Sequence, residues 1–394
     1  MAGEGRAITP EGSPDSPRAA RAMSGTVTLG LIPAPDIPKK IATELASELP
    51  ELLAKRVDGS VSWEVAVLVD PLTGTDMEAP EILDECRQRM LEEGWDLAVC
   101  LTDLPAYRAD TLVAADASAK RGVGGISLPA LGALRLHPRA RELTLRLAGE
   151  LYEGTKERGA NDPPTQSSQS TKPVGSFRRV DPPDEDMKAM DVDARFASPG
   201  VLGHLRLWSG MVLANRPWNM LPAFKGAIAA AFATGAYVLV ISSMWLLADA
   251  MGFLRLLALM AVAIVAMVVW IIVAHHLWER PKDSEQRRWA PLYNGVSVLT
   301  VSTAVLLAYA ILFALLFVAA WVFVPSGYFQ SILKHHVGFG EYLTLSWLGA
   351  SLATVAGALG ASLEDEETVR EASYGYRQRR RQNANDSEEG SAKQ

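Results

Sequence analysis

The feature that most constrains this chain is a set of four long windows without one charged side chain, all in its second half. Ala227–Ala248 gives 22 such residues, Leu256–Ala274 gives 19, Leu292–Val324 gives 33 and Tyr342–Leu363 gives 22. A helix rises 1.5 Å per residue, so about 20 apolar residues cross a hydrocarbon core of about 30 Å. The third window overshoots one crossing; its span is placed at Ser297–Val324, between Asn294-Gly295 and Pro325-Ser326-Gly327. The link from Asp249 to Arg255 is so short that the first two windows must form a tight hairpin. A single soluble globule is thereby excluded, and the expected architecture over residues 226–363 is an all-α bundle of four transmembrane helices.

Orientation follows from the Lys and Arg flanks. Arg206, Arg216 and Lys225 precede the first span, and Arg280, Lys282, Arg287 and Arg288 separate the second from the third. Arg370, Arg377 and Arg379-Arg380-Arg381 follow the fourth, whereas the two opposite loops hold only Arg255 and Lys334. Both termini are expected in the cytoplasm, with the bilayer of a bacterial plasma membrane as the principal partner. Residues 1–24 are rich in Gly, Pro, Ala and Arg and lack the apolar core of a signal peptide, so the first half is expected to stay inside; these 24 residues themselves read as disordered. Residues 364–394 read as a cytoplasmic tail.

Residues 198–225 mix apolar side chains with Arg206, Trp208, Arg216 and Trp218, a pattern expected of an amphipathic segment lying in the membrane interface. Anchoring by an aromatic belt and a positive flank is the first reading; a site for a lipid headgroup or partner is the second. Small residues recur every four positions in the fourth span (Gly349, Ala353, Gly357, Ala361) and in the first (Ala227, Ala231, Gly235). In lipid such stripes let helix backbones approach closely. They serve either packing within the chain or homo-oligomerisation. No Asp, Glu, Lys or Arg falls inside the four spans, which disfavours a pump or coupled transporter. Ser242, Ser243, Ser302, Thr303, Thr344, Ser346, Ser351 and Thr354 remain as polar candidates for an uncharged path.

The first half is a different kind of chain, and the averages of 49% apolar and 21% charged residues conceal the division. The net charge of −7 argues against nucleic acid as a partner. Cys86 and Cys100 are too few for a disulfide framework and read as small buried apolar side chains. Thr26–Pro33, Trp63–Val69 and Asp96–Leu101 carry strand signals, with helical patterns at Ile37–Arg56 and Pro80–Gly94 between them. Alternation of this kind predicts a parallel sheet covered by helices. Thr111–Ala117 and Gly124–Leu128 are joined too closely for a crossover and predict a hairpin, and Pro138–Tyr152 reads as a closing helix. The fold class is therefore an α/β cytoplasmic domain over residues 25–153, mostly parallel with an antiparallel edge, attached to the bundle. Residues 154–197, rich in Pro, Ser, Gln and Asp, read as a disordered linker.

Ligands in open α/β sheets bind beyond the carboxyl ends of the strands. Asp36, Asp70 and Asp103 fall at such ends, with Asp116 on the antiparallel edge. Three carboxylates on one rim could hold a divalent cation or a basic ligand; Asp is equally a helix N-cap and turn former. Lys120-Arg121-Gly122-Val123-Gly124-Gly125 lacks the following helix that a phosphate loop needs and reads as a hairpin turn. Tyr152 and Lys156 share a helix face at Y-x-x-x-K spacing, without a glycine-rich dinucleotide loop upstream. The six histidines (His137, His204, His275, His276, His335, His336) contain no HExxH pair. Gly349-Ala350-Ser351-Leu352 resembles the serine motif of rhomboid proteases, yet no span offers a His to activate Ser351. No catalytic residue, metal site or cofactor is assigned.

The wording DLAVCLTDLP, then TLVAADASAKRGVGGISL, then a helix resembles the N-terminal scaffold of archaemetzincins over about 100 residues. The stretch where the zinc helix would fall, Arg141–Glu150, holds no His, so the resemblance implies the scaffold without its metal. Lys40-Ile41-Ala42-Thr43-Glu44 is faintly similar to the opening of methylenetetrahydrofolate dehydrogenases, whose nucleotide-binding half is missing here. The whole chain, including Gly210–Trp218 ahead of four spans, resembles uncharacterised actinobacterial integral membrane proteins. The expected function is that of a multi-pass inner-membrane protein whose cytoplasmic domain binds an unidentified protein or small molecule without catalysis. An oligomeric channel or passive permease, and a metal-dependent enzyme using Asp36, Asp70 and Asp103, are the alternatives.

Overall fold

The structure, a computed structural model, describes residues 25–70, 79–108, 111–159, 177–180, 192–197, 201–222, 224–278 and 284–360. The N-terminal 24 residues, most of the expected linker, the last residues of the fourth window and the C-terminal tail lie outside the described residues. Two compact units divide the chain, residues 1–210 and 211–394.

In the first unit the elements run β1 (Thr26–Pro33), α1 (Ile37–Arg56), β2 (Ser62–Val67), α2 (Ala79–Glu92), β3 (Leu97–Thr102), β4 (Ala106–Arg108), β5 (Thr111–Ser118) and β6 (Val123–Ser127). Then come α3 (Leu128–Leu131), α4 (Leu136–Gly159), β7 (Arg178–Arg179), β8 (Ala194–Ala197) and α5 (Val201–Asn215), in which the unit boundary falls. The sheet order is β2-β1-β3-β6-β5-β8-β7, with β4 beside β5. β2, β1, β3 and β6 are parallel; β5, β8, β7 and β4 pair antiparallel. Leu97–Thr102 is buried at all six positions, as a central strand covered on both faces requires. On α1, Ile41, Leu45, Leu49 and Leu53 are buried at helical spacing and form its inner face. Gly30 on β1 lies under the Trp95 ring, where a Cβ would come within 1.7 Å of the indole, so only glycine fits.

The antiparallel part is larger than one hairpin, because two segments of the expected linker belong to the sheet. β8 pairs with β5 and β7 with β8, and α4 continues to Gly159. The physical reason is the buried Arg195. Its guanidinium is bonded to Asp116, so a four-residue strand, Ala-Arg-Phe-Ala, enters the sheet interior despite its charge.

The second unit contains a 3₁₀ turn (Pro217–Met220), α6 (Lys225–Val240), α7 (Ser242–Ala250), α8 (Phe253–Ala274), α9 (Ser284–Phe323), α10 (Ser326–Leu333) and α11 (Phe339–Gly360). Among the described residues, α8 and the Ala290–Phe323 part of α9 are long and apolar enough to cross a membrane. The first window is not one helix. Its helix stops at Ile241, which is extended (φ −92°, ψ 111°), and restarts at Ser242. Trp245 Nε1–H donates to Leu239 O at 2.9 Å and so satisfies a carbonyl that the break would strand. A β-branched residue followed by two serines accounts for the interruption, with no Pro or Gly to announce it. The third helix likewise starts well before Ser297, since Pro291 lies inside α9.

Candidate functional site

The parallel strands carry β1, β2 and β3 as neighbours, so their carboxyl ends share a rim. Asp36, exposed and at φ 72°, stands just before α1 without capping it through its side chain. Asp70 is buried: its N–H donates to Pro33 O at 3.1 Å, extending the β1–β2 ladder, and its carboxylate accepts Arg89 Nε–H at 2.8 Å. Arg89 also lies 3.2 Å from Glu85 and 3.1 Å from Glu92 on its own helix. Burial pushes the Glu85 carboxyl above its ordinary value, against the pull of Arg89. Asp103 is buried inside a turn in which Leu104 N–H donates to Thr102 Oγ1 at 3.0 Å and Ser127 Oγ–H to Leu104 O at 2.6 Å.

The rim therefore distributes its carboxylates instead of pooling them. Among the described residues, no three His, Cys, Asp or Glu side chains form a group able to hold a metal ion. Asp70 is committed to a guanidinium, Asp103 to the interior of a turn, and Asp36 to the surface. Arg89 is the partner of Asp70 that the sequence pattern does not announce; its spacing from Glu85 and Glu92 signals only a charged helix face. Beneath the rim, Cys86 and Cys100 are free and buried, and burial raises the Cys100 thiol well above its ordinary value, which removes reactive thiolate.

Away from the rim, Tyr152 Oη–H and Lys156 Nζ both donate to Asp58 Oδ2, at 2.9 and 3.2 Å. Ser60, through its hydroxyl and its N–H, and these two groups hold the Asp58 carboxyl far below the usual range. The Y-x-x-x-K pair thus fastens α4 to the α1–β2 turn. Lys120–Gly125 forms the β5–β6 hairpin, with Gly122 at φ +74°.

Of the interfacial candidates, Arg206 and Trp208 sit on α5. Gly132 backs onto Arg206, where a Cβ would be 3.2 Å from its Cβ, and Ser209 Oγ accepts Ala133 N–H at 3.3 Å. Gly210 touches Pro129 so closely that a Cβ would lie 2.2 Å from its carbonyl oxygen. This stretch packs on the α/β unit. Arg216, left-handed at φ 52°, and the half-exposed Trp218 flank the start of the 3₁₀ turn in the other unit.

In the helical unit the small-residue stripes of α6 and α11 face each other. A Cβ at Gly357 would lie 3.2 Å from Ala231 Cβ, and one at Gly349 3.9 Å from Gly235 O; Ala353 between them is fully buried. Gly235 also receives Leu316 of α9, which a Cβ would approach to 2.6 Å. The hydroxyls of Thr303, Thr344, Ser346, Ser351 and Thr354 all donate to carbonyls one turn back on their own helices. Compared with family models, with curated proteins and with solved structures, the chain matches none.

Proposed function

We propose that this chain is a multi-pass protein of a bacterial plasma membrane whose α/β unit, on the cytoplasmic side, binds a protein or small-molecule partner without catalysing a reaction. One observation carries the membrane reading. Before residue 200 the only exposed large apolar side chains among the described residues are Val69, Leu91 and Leu134, whereas the helical unit exposes Leu254, Val262, Val265, Val269, Val322, Phe323 and many more. Large apolar groups outside and Gly or Ala inside is the arrangement that lipid selects. α6 with α7, then α8, α9 and α11, supply the four spans of this reading. The Lys and Arg flanks set both ends inside.

The binding reading is supported by an α/β scaffold whose rim holds a charged cluster at Asp70, Glu85 and Arg89. Membrane integration is tested by alkaline carbonate extraction, in which the full chain should stay with the membrane; release into the supernatant would overturn it. For binding, a crosslinked pull-down from mild detergent should recover a specific partner that an Arg89→Met chain recovers poorly. Identical recovery by both chains would remove the rim from the proposal.

A further inference from the structure

We propose that the second unit holds one anionic phospholipid in a groove between the 3₁₀ turn, α6 and α9. This rests on the membrane reading above and deepens it. The groove is shallow and open, with a volume of about 600 Å3, and is lined by Ile228, Phe232, Ile311 and Leu315, with Trp218 and Lys225 at one end. Its lining is apolar apart from that end. Lys225 is the first residue of α6, exposed, and no acidic residue stands in the first turn of that helix. Among the described residues its ammonium has no ion-pair partner, and residues 198–225 contain Arg206, Arg216 and Lys225 without one acid.

Length and chemistry both select the occupant. From Lys225 to Phe232 is seven residues, about 10 Å of helix, and Ile311 and Leu315 are one turn apart on α9, so the walls follow an acyl chain through much of one leaflet of about 15 Å. An ammonium and an indole beside the apolar walls put a cation and an interfacial aromatic ring where a phosphate would lie. A second copy of this chain is a poorer occupant. A two-fold contact places the same surface on both sides, bringing Lys225 toward Lys225 in a water-poor seam. An anionic lipid satisfies the walls and the charge together.

The test uses the full chain in mild detergent, titrated with phosphatidylglycerol or phosphatidylcholine and read by native mass spectrometry. The expected result is one retained phosphatidylglycerol, with phosphatidylcholine retained at least tenfold less. Lys225→Gln should lose the preference between the two lipids, and Ala229→Trp, which fills the groove from an exposed position, should lose retention of both. Arg255→Gln, on a residue outside the groove, should behave as the parent chain. Equal retention in the parent, Lys225→Gln and Ala229→Trp chains, with carbonate-resistant membrane association intact, would overturn the groove alone. Loss of carbonate resistance in the parent chain would overturn the membrane reading and the groove with it.

Discussion

The two units solve the same problem, burying polar groups, in opposite ways. In the α/β unit charged side chains reach across elements: Asp116 to Arg195 joins β5 to β8, Glu150 to Arg179 joins α4 to β7, and Asp70 to Arg89 joins the β2 end to α2. In the helical unit the hydroxyls of Thr303, Ser346 and Thr354 return to their own helices, few polar pairs such as Tyr309 with Ser351 reach across, and the closest approach between helices is made at Gly235, Gly349, Gly357, Ala231 and Ala353. On the membrane reading proposed above, water explains the difference. A domain with an aqueous exterior can spend its apolar groups on the core and use ion pairs to fix strand order. A bundle surrounded by lipid gains nothing from burying Leu in place of exposing it, so backbone proximity and van der Waals contact must order its helices.

The largest expected effect is therefore at the ion pair that orders the antiparallel half. Arg195 is 2% exposed and meets Asp116 through two parallel bonds, at 2.8 and 3.2 Å. Arg195→Ala or Asp116→Ala leaves a buried charge without its partner and should cost about 3–5 kcal/mol. Chemical denaturation of the full chain in detergent measures this, and hydrogen exchange should show β8 losing protection first. Replacing both partners with Met and Leu should recover most of the loss. If the single substitutions cost under about 1 kcal/mol, charge pairs are not what distinguishes this unit.

The next effect belongs to the small-residue seam. Gly357→Leu and Gly235→Leu insert side chains where a Cβ alone already lies 3.2 Å from Ala231 and 2.6 Å from Leu316. Overpacking of that kind costs about 1–3 kcal/mol. Val269→Leu on the exposed face of α8 should change the melting temperature little. An equal drop for all three would mean that the outward face is packed against protein.

Much of this division was legible in the chain. The strands at Thr26–Pro33 and Leu97–Thr102, the latter expected at Asp96–Leu101, and the helix Ile37–Arg56 follow directly from short apolar runs and an i, i+4 apolar face. The stripes at Ala231, Gly235, Gly349 and Gly357 were visible as well, though spacing alone left open which helix each would meet. What stayed hidden shares one cause: a partner distant in sequence. β8 looks like linker until Asp116, 79 residues away, neutralises Arg195. The break at Ile241 is covered by a Trp245 indole, and the rim carboxylates look poolable until Arg89 is seen to take Asp70. Local pattern reports what a residue prefers; only the fold reports what it is given.

A smaller effect separates the two kinds of hydroxyl within the bundle. Ser351 Oγ lies 3.0 Å from Tyr309 Oη on a neighbouring helix, whereas Ser346 Oγ–H donates only to Tyr342 O on its own helix. Ser351→Ala should cost about 0.6 kcal/mol, the usual value for such a bond between helices, and Ser346→Ala close to nothing. Thermal melts of the two chains in the same detergent give the comparison. A cost at Ser351 well above that value would mean that the bundle, like the α/β unit, depends on polar groups reaching across elements.

The smallest expected effect tests where the helical unit meets water. In the loop between α10 and α11, His335 Nδ1 lies 3.0 Å from His336 O and His335 Nε2 lies 3.0 Å from Asp249 Oδ1, in the last turn of α7. The His336 carbonyl first, then Asp249, raises the His335 pKa above its ordinary 6.5, with Glu341 adding to the field. A raised folded value means that the folded chain holds this proton more tightly than the unfolded chain. The stabilisation is therefore complete below the ordinary histidine value and is lost as pH rises through the raised one. Both partners are over a third exposed, so salt should weaken the effect, which lipid burial would not allow. Melting temperatures of the reconstituted chain between about pH 5 and 8 should fall slightly with pH, and His335→Gln should flatten that slope. A slope that survived His335→Gln would assign the titration elsewhere, and one insensitive to salt would place this loop out of water, blurring the boundary on which the contrast between the two units depends.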